Sequence, residues 1–270
     1  MNLLVNIEWL NDNIEHQDLI LLNASQNTTS VKSDVISKNI QIKNSRTFNL
    51  RETFSDQTST LPNMLPNSSE FEKQSRILGI NKSSIIVIYE EMGVFFSPRV
   101  WWMFKAMGHQ KVYVLNGRLK DWLKKGFITE PKIPKSYSLG NFKACFNSNA
   151  VRSLDAIKKN IKWKEEILID ARSNNRFKGL APEPRDIPSG SIKNSINIPY
   201  ETVLKNGKYK DIKALVNVFK DYNIDDRPLI FSCGSGVTAC IVLLASELVL
   251  KNNKSVYDGS WTEWATDQLK

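Results

Sequence analysis

The 270 residues hold only three cysteines and two histidines. Cys145, Cys233 and Cys240 form no CxxC pair and no Cys/His cluster with zinc-ligand spacing. An odd count leaves at least one thiol outside any disulfide, which fits a reducing cytosol better than a disulfide-built secreted scaffold. Nowhere do apolar residues run to the roughly 18 that a membrane span needs. The first 13 residues include Glu8 and Asp12 and lack both a basic start and an apolar core, so they read as neither a secretory signal nor an Arg-rich transit peptide. The expectation is a soluble cytoplasmic protein without a membrane partner. Charge is not gathered either: the net +9 is scattered along the chain, whereas a nucleic-acid surface needs basic residues clustered on one face with aromatic stacking partners. No nucleic-acid partner is expected, and a diffuse positive field favours small anionic substrates.

What is present is ordinary globular composition, 41% hydrophobic and 24% charged, in a length suited to two domains rather than one. Three pairs of segments match in the same order at an offset of about 140–150 residues, the signature of a duplicated domain. Leu19-Ile20-Leu21-Leu22-Asn23-Ala24-Ser25 pairs with Ile167-Leu168-Ile169-Asp170-Ala171-Arg172-Ser173, and Gln41-Ile42-Lys43-Asn44-Ser45 with Ser191-Ile192-Lys193-Asn194-Ser195. Val112-Tyr113-Val114-Leu115-Asn116-Gly117 pairs with Ser255-Val256-Tyr257-Asp258-Gly259, followed by Trp122 and Trp264 respectively. In each copy, short β-branched runs (85–89, 228–231) precede longer helical stretches (98–107, 237–250). The expected fold is therefore α/β, two tandem domains, each a largely parallel sheet flanked by helices. Residues 128–148 show neither period and read as a linker between a first domain over 1–127 and a second over 149–270.

The chemistry points to Cys233. Leu229-Ile230-Phe231-Ser232 is a strand that ends on it, and Val237, Ile241, Leu244 and Leu248 recur at helical spacing beyond it. Between them Gly234-Ser235-Gly236 lets the backbone curl so that several N–H groups converge at a helix start, an anion nest that favours thiolate over thiol and can hold the outer sulfur of a persulfide. An inert core cysteine is the bland alternative, but two glycines directly after it have no packing use there. A cysteine phosphatase would need an arginine six residues on to grip phosphate. That position is Ala239.

The run Cys233-Gly234-Ser235-Gly236-Val237-Thr238-Ala239 resembles the active-site loop of 3-mercaptopyruvate sulfurtransferases, relatives of the thiosulfate sulfurtransferases called rhodaneses. The likeness extends to Met64-Leu65-Pro66, Ser97-Pro98-Arg99-Val100-Trp101-Trp102, Asp170-Ala171-Arg172-Ser173, Arg176-Phe177 and Glu183-Pro184-Arg185. It implies two rhodanese-like domains of which only the second is catalytic, with Glu90 standing near the equivalent strand end of the first. It further implies that Cys233 takes sulfur from 3-mercaptopyruvate, releases pyruvate and passes the sulfur to a small thiol, a reduced thioredoxin-like protein or cyanide, with no metal or organic cofactor. Ser235 would assist catalysis. Arg176 and Arg185 match the arginines that hold the substrate carboxylate and carbonyl, and Gly234, Gly236, Val237 and Thr238 would complete the substrate-binding loop.

The chain departs from this pattern at one place. The family pairs the loop serine with a histidine and an acidic residue; here the histidine position holds Asn63, and Glu52 stands near the acidic one. Neither His16 nor His109 replaces it, and His109 reads as structural. Thiosulfate-preferring enzymes also lack the histidine but carry basic residues at the positions of Gly234 and Ser235. Thiosulfate as donor, or a protein that only relays persulfide sulfur, therefore stand as alternatives. Cys240 reads as a packed side chain rather than one that resolves a persulfide or sulfenate, and Asp170 and Glu183 as residues that orient the arginines, with Glu183-Pro184 as a mere turn the alternative.

Overall fold

The computed structural model describes residues 3–26, 39–91 and 93–269, and the chain divides into two compact units. The first comprises Met1–Gln57 and Pro66–Phe146, the second Thr58–Leu65 and Asn147–Lys270. In the first, the elements in chain order are β1 (Leu4–Val5), α1 (Ile7–Asn13), β2 (Leu19–Asn23), β3 (Ile40–Ile42), β4 (Ser45–Thr47), α2 (Ser68–Ile77), β5 (Ile85–Tyr89), α3 (Ser97–Ala106), β6 (Val112–Leu115), α4 (Leu119–Lys124) and β7 (Thr129–Pro131). The second holds β8 (Val151–Arg152), α5 (Leu154–Trp163), β9 (Ile167–Asp170), α6 (Asn174–Phe177), β10 (Ile196–Asn197), β11 (Leu204–Lys205), β12 (Lys208–Tyr209), α7 (Ile212–Asp221), β13 (Leu229–Ser232), α8 (Ala239–Glu247), β14 (Lys254–Tyr257) and α9 (Ser260–Asp267).

Both main sheets are parallel, ordered β1-β6-β5-β2-β4 and β8-β14-β13-β9-β10. Strand for strand these are the same sheet, so the duplication read from the sequence is a duplication of topology. The matching turns agree in detail. Asn44 and Asn194 both take left-handed backbone, φ 64° and 67°, and Ser45 and Ser195 each donate Oγ–H to the carbonyl three residues back, at 2.5 and 2.6 Å. Asparagine is one of the few residues that tolerates this conformation, so the shared Lys-Asn-Ser records a backbone requirement.

Sequence pattern explains most of the elements. α5 and α7 open on side-chain caps, Ser153 accepting from Ala156 N and Asp211 from Ala214 N, which satisfies donors that the helix leaves unpaired. β13 is buried along its whole length, as expected of a central strand covered on both faces. α8 is apolar on all sides and buried from Ala239 to Ser246, the pattern of an internal helix rather than a surface one. It is shorter than the run 237–250 suggests, because Val237 and Thr238 form a turn whose carbonyls accept from Cys240 and Ile241.

The aperiodic segment 128–146 is tied to the first unit. β7 pairs antiparallel with β3, Gly140 N donates to Arg76 O, Phe142 N to Ile80 O and Cys145 N to Met107 O, and the Phe142 ring packs among Phe71, Phe104 and His109. Its backbone is satisfied by fixed elements beside it, a function that leaves no period in the sequence. Conversely, residues 58–65 count with the second unit although they lie within the first stretch of chain.

Glu90 directly follows β5, as Cys233 follows β13. Its Oε1 accepts from the amides of Phe95, Phe96 and Ser97 at 2.6, 2.7 and 2.8 Å and from Ser97 Oγ at 2.8 Å. The first unit thus has its own ring of converging donors, filled by a side chain of the same loop. Burial pushes the Glu90 carboxyl up to about 7 from an ordinary 4.5, against the downward pull of those bonds. Between these values the folded chain holds a proton that the unfolded chain has lost, so this group lowers stability as pH rises from 4.5 to 7 and adds no slope above. In Glu90→Gln, which keeps an oxygen acceptor and does not titrate, that part of the fall in Tm with pH is expected to vanish. Parallel Tm profiles for the two proteins across this range would contradict it.

Candidate active site

β9, β13 and β14 are neighbours in the second sheet, and the residues beyond their carboxyl ends converge, as ligand sites of open parallel sheets do. Cys233 follows β13 and is 2% exposed. The loop after it is oriented by the start of α9. Trp261 N donates to Cys233 O at 2.9 Å and Thr262 N to Gly234 O at 3.1 Å, with Thr262 Oγ1 adding a bond to Gly234 O at 2.6 Å. Donors that a helix N-terminus leaves unpaired thus hold the loop carbonyls on one side.

Ser260 Oγ accepts from the amides of Cys233 and Gly236, both at 3.1 Å, and donates to Tyr257 O at 2.8 Å. The amides of Gly234, Ser235, Val237 and Thr238 have no acceptor among the described residues, and they form the donor set of the nest. Gly236 therefore belongs to the scaffold of the loop: its amide is committed to Ser260 and its φ is 76°, a conformation that favours glycine. Gly234 leaves room for the Arg176 guanidinium: a Cβ there would lie 2.8 Å from Arg176 Nη2, so a larger residue would shift that side-chain end.

The other expected residues gather around the same loop. Arg185 Nη2 lies 3.4 Å from Ser235 Oγ, and Asn63 Nδ2 3.0 Å from it. Asn63 itself sits at φ 60°, in a turn fixed to the second unit through Leu65 N and Asp258 Oδ2 at 2.7 Å. Arg176 is held by Glu183, Nε to Oε1 at 3.2 Å and Nη2 to Oε2, while its Nη1 makes no bond among the described residues. Behind it lies a residue to which the sequence assigned no role. Arg172, with no side-chain exposure, meets both oxygens of Asp170, Glu183 Oε1 at 2.8 Å and Gly190 O at 2.7 Å, and its guanidinium lies over the Trp261 ring. Arg172 and the partly exposed Arg176 form with Asp170 and Glu183 a charge-compensated network: Asp170 holds Arg172, an arginine to which the sequence had not assigned it, and Glu183 holds both Arg172 and Arg176.

Cys240 is fully buried and its Sγ donates to Gly236 O at 3.3 Å, a packed side chain. His109 Nε2 meets Ser84 O at 2.9 Å within the first unit, and burial lowers its pKa, in keeping with a structural role. His16 is exposed and accepts from Asp18 N. Glu52 is exposed and bonded to Asn49 of its own turn. Cys145 is exposed. Ser260, Thr262 and Arg172 were not legible as site residues. Ser260 and Thr262 follow a Gly that the repeat marks only as a turn, and Arg172 lies in a quoted motif without a signal for its partners.

A Rhodanese-like domain model matches residues 6–125 and again 153–267. The chain belongs to the rhodanese-like family. It is 34% identical to thiosulfate/3-mercaptopyruvate sulfurtransferase 2 of Arabidopsis thaliana, over 97% of this chain and 84% of that protein. With the 3-mercaptopyruvate sulfurtransferase of Mus musculus it shares 39% identity over 78% and 72% of the two chains. The crystal structure of SseA from Escherichia coli, a 3-mercaptopyruvate sulfotransferase, superposes with a TM-score of 0.85 at 30% identity, over 97% of this chain and 99% of that one. This rhodanese-like chain is a sulfurtransferase.

Because Ser260 supplies the sole acceptor among the described residues for the Cys233 amide, Ser260→Ala would strand a buried N–H at Cys233. The expected loss is about 1–3 kcal/mol of unfolding free energy, read from urea denaturation. A midpoint unchanged from wild type would show that the loop does not depend on this hydroxyl.

Proposed function

We propose that Cys233 carries the transferred sulfur, taken from a small anionic donor, 3-mercaptopyruvate or thiosulfate. The observation that supports this is the position of its thiol at the end of a central strand, beside four loop amides with no acceptor among the described residues and two arginines at the rim. In the first half-reaction the Cys233 thiolate attacks the outer sulfur of the donor. A new S–S bond forms and the donor's S–S or C–S bond breaks, its electron pair leaving on sulfite or on the enolate of pyruvate; with 3-mercaptopyruvate the donor thiol gives up its proton and the enolate takes one up at carbon.

The product persulfide is anionic, and the amides of Gly234, Ser235, Val237 and Thr238 are placed to stabilise it, as preorganised donors stabilise charge that develops in a transition state. Arg185 and the Nη1 side of Arg176 hold the donor's oxyanion end. Their fork geometry suits a carboxylate or sulfonate group better than an ammonium would. In the second half-reaction an acceptor, a small thiol, a reduced thioredoxin-like protein or cyanide, attacks the outer sulfur and restores the Cys233 thiolate. Dividing the transfer in this way is covalent catalysis. Turnover needs Cys233 reduced, a state that the cytosol maintains.

The test is Cys233→Ser together with mass spectrometry of the wild type after exposure to each donor. The expected result is a gain of one sulfur atom on the peptide carrying Cys233, and loss of sulfur transfer from both donors in the variant. Residual transfer in the variant at a tenth of the wild-type rate or more would locate the chemistry elsewhere. Sulfur accepted from a protein persulfide but from neither small donor would make the chain a relay.

A further inference from the structure

Ser235 lies in the middle of the loop, half-buried, and its hydroxyl meets two groups: Asn63 Nδ2 at 3.0 Å and Arg185 Nη2 at 3.4 Å. A hydroxyl has two acceptor positions and one proton. Amide and guanidinium nitrogens only donate, so these neighbours occupy the acceptor side of Oγ and turn its own O–H toward a third group. Neither neighbour can remove that proton, since an amide does not take up a proton near neutral pH and arginine keeps its charge. Among the described residues no imidazole or carboxylate is bonded to Ser235. The backbone at Asn63 is fixed as well: its turn is anchored two residues on by Leu65 N to Asp258 Oδ2, and its left-handed conformation suits asparagine.

We propose that Asn63 is a specificity-determining residue: by donating to Ser235 it holds the hydroxyl as a fixed hydrogen-bond donor rather than a proton relay. The site then favours sulfur donors whose leaving group departs as a stable oxyanion without a proton. This rests on sulfur transfer through Cys233. When thiolate attacks the outer sulfur of thiosulfate, the S–S bond breaks, its electron pair goes to sulfite, and no proton moves. When it attacks the sulfur of 3-mercaptopyruvate, the donor thiol must lose its proton and C3 of the departing enolate must gain one. A fixed donor helps the first reaction by stabilising the growing oxyanion charge. It leaves both proton transfers of the second to solvent.

The experiment is single-turnover sulfuration of Cys233 in the full-length protein with thiosulfate and with 3-mercaptopyruvate, in H2O and in D2O. For the wild type, kcat/KM for thiosulfate is expected to exceed that for 3-mercaptopyruvate by about a hundredfold, the lower end of what a positioned acid or base contributes. Only the 3-mercaptopyruvate reaction should slow in D2O. Asn63→Asp, which replaces the donor at this position by an acceptor of the same shape, should raise the ratio of 3-mercaptopyruvate to thiosulfate kcat/KM at least about tenfold. Asn63→His is a second route to the same change. Asn63→Gln, which still donates, should leave the ratio nearer to wild type than either. A wild type that prefers 3-mercaptopyruvate, or a ratio unmoved by both acceptor variants, overturns the proposal while leaving Cys233 as the carrier. No sulfur on Cys233 from either donor overturns both.

Discussion

The loop after β13 works because its peptide groups are held from one side by the start of α9. Trp261 N and Thr262 N take the carbonyls of Cys233 and Gly234, and Ser260 Oγ takes the amides of Cys233 and Gly236. These bonds satisfy donors that α9 would otherwise leave unpaired at its first turn. They also fix which loop amides remain for a ligand. The helix start of α9, the packing of α8 beneath the loop and the placement of the cysteine are in this sense one structure, since moving any of them would break several buried hydrogen bonds at once.

The second organising constraint is charge. Arg172, Asp170 and Glu183 are buried almost completely, and buried charge persists only where it is paired and hydrogen-bonded. Arg172 meets this condition by binding both carboxylates. Glu183, shared between Arg172 and Arg176, holds the outer guanidinium against Gly234, where a larger residue would displace it. The rim is therefore preorganised from inside the unit: the guanidinium that faces the loop is positioned by a partner that is itself anchored to the end of β9. Preorganised charge of this kind costs little reorganisation when a ligand binds.

The two units show how far one frame constrains chemistry. Their sheets have the same strand order and their Lys-Asn-Ser turns the same backbone. At the one position where a thiol could stand, however, the first unit carries Glu90. A carboxylate on a longer side chain reaches into its own loop and takes the amides of Phe95, Phe96 and Ser97, so the donors that would serve a ligand serve the protein instead. Fold and nest were inherited together, and one side chain separates a filled nest from an open one.

Much of this was legible in the sequence. Duplication follows from repeated segments because equal backbone demands, such as left-handed asparagine in a turn, recur as equal residues. The strand-cysteine-glycine-helix order singles out Cys233 as the candidate nucleophile, because a glycine-rich turn between a strand and a helix lets backbone amides converge. Arg176 and Arg185 were identified through their family pattern, and the structure brings both to the loop. Tertiary structure decided what depends on residues far apart in the chain: that residues 58–65 join the second unit, that Ser260 governs the loop amides, that Arg172 underlies the clamp, and that Asn63 meets Ser235 across 172 positions. The physical reason is that a hydrogen bond is specified by donor, acceptor and distance, and sequence supplies the first two without the third.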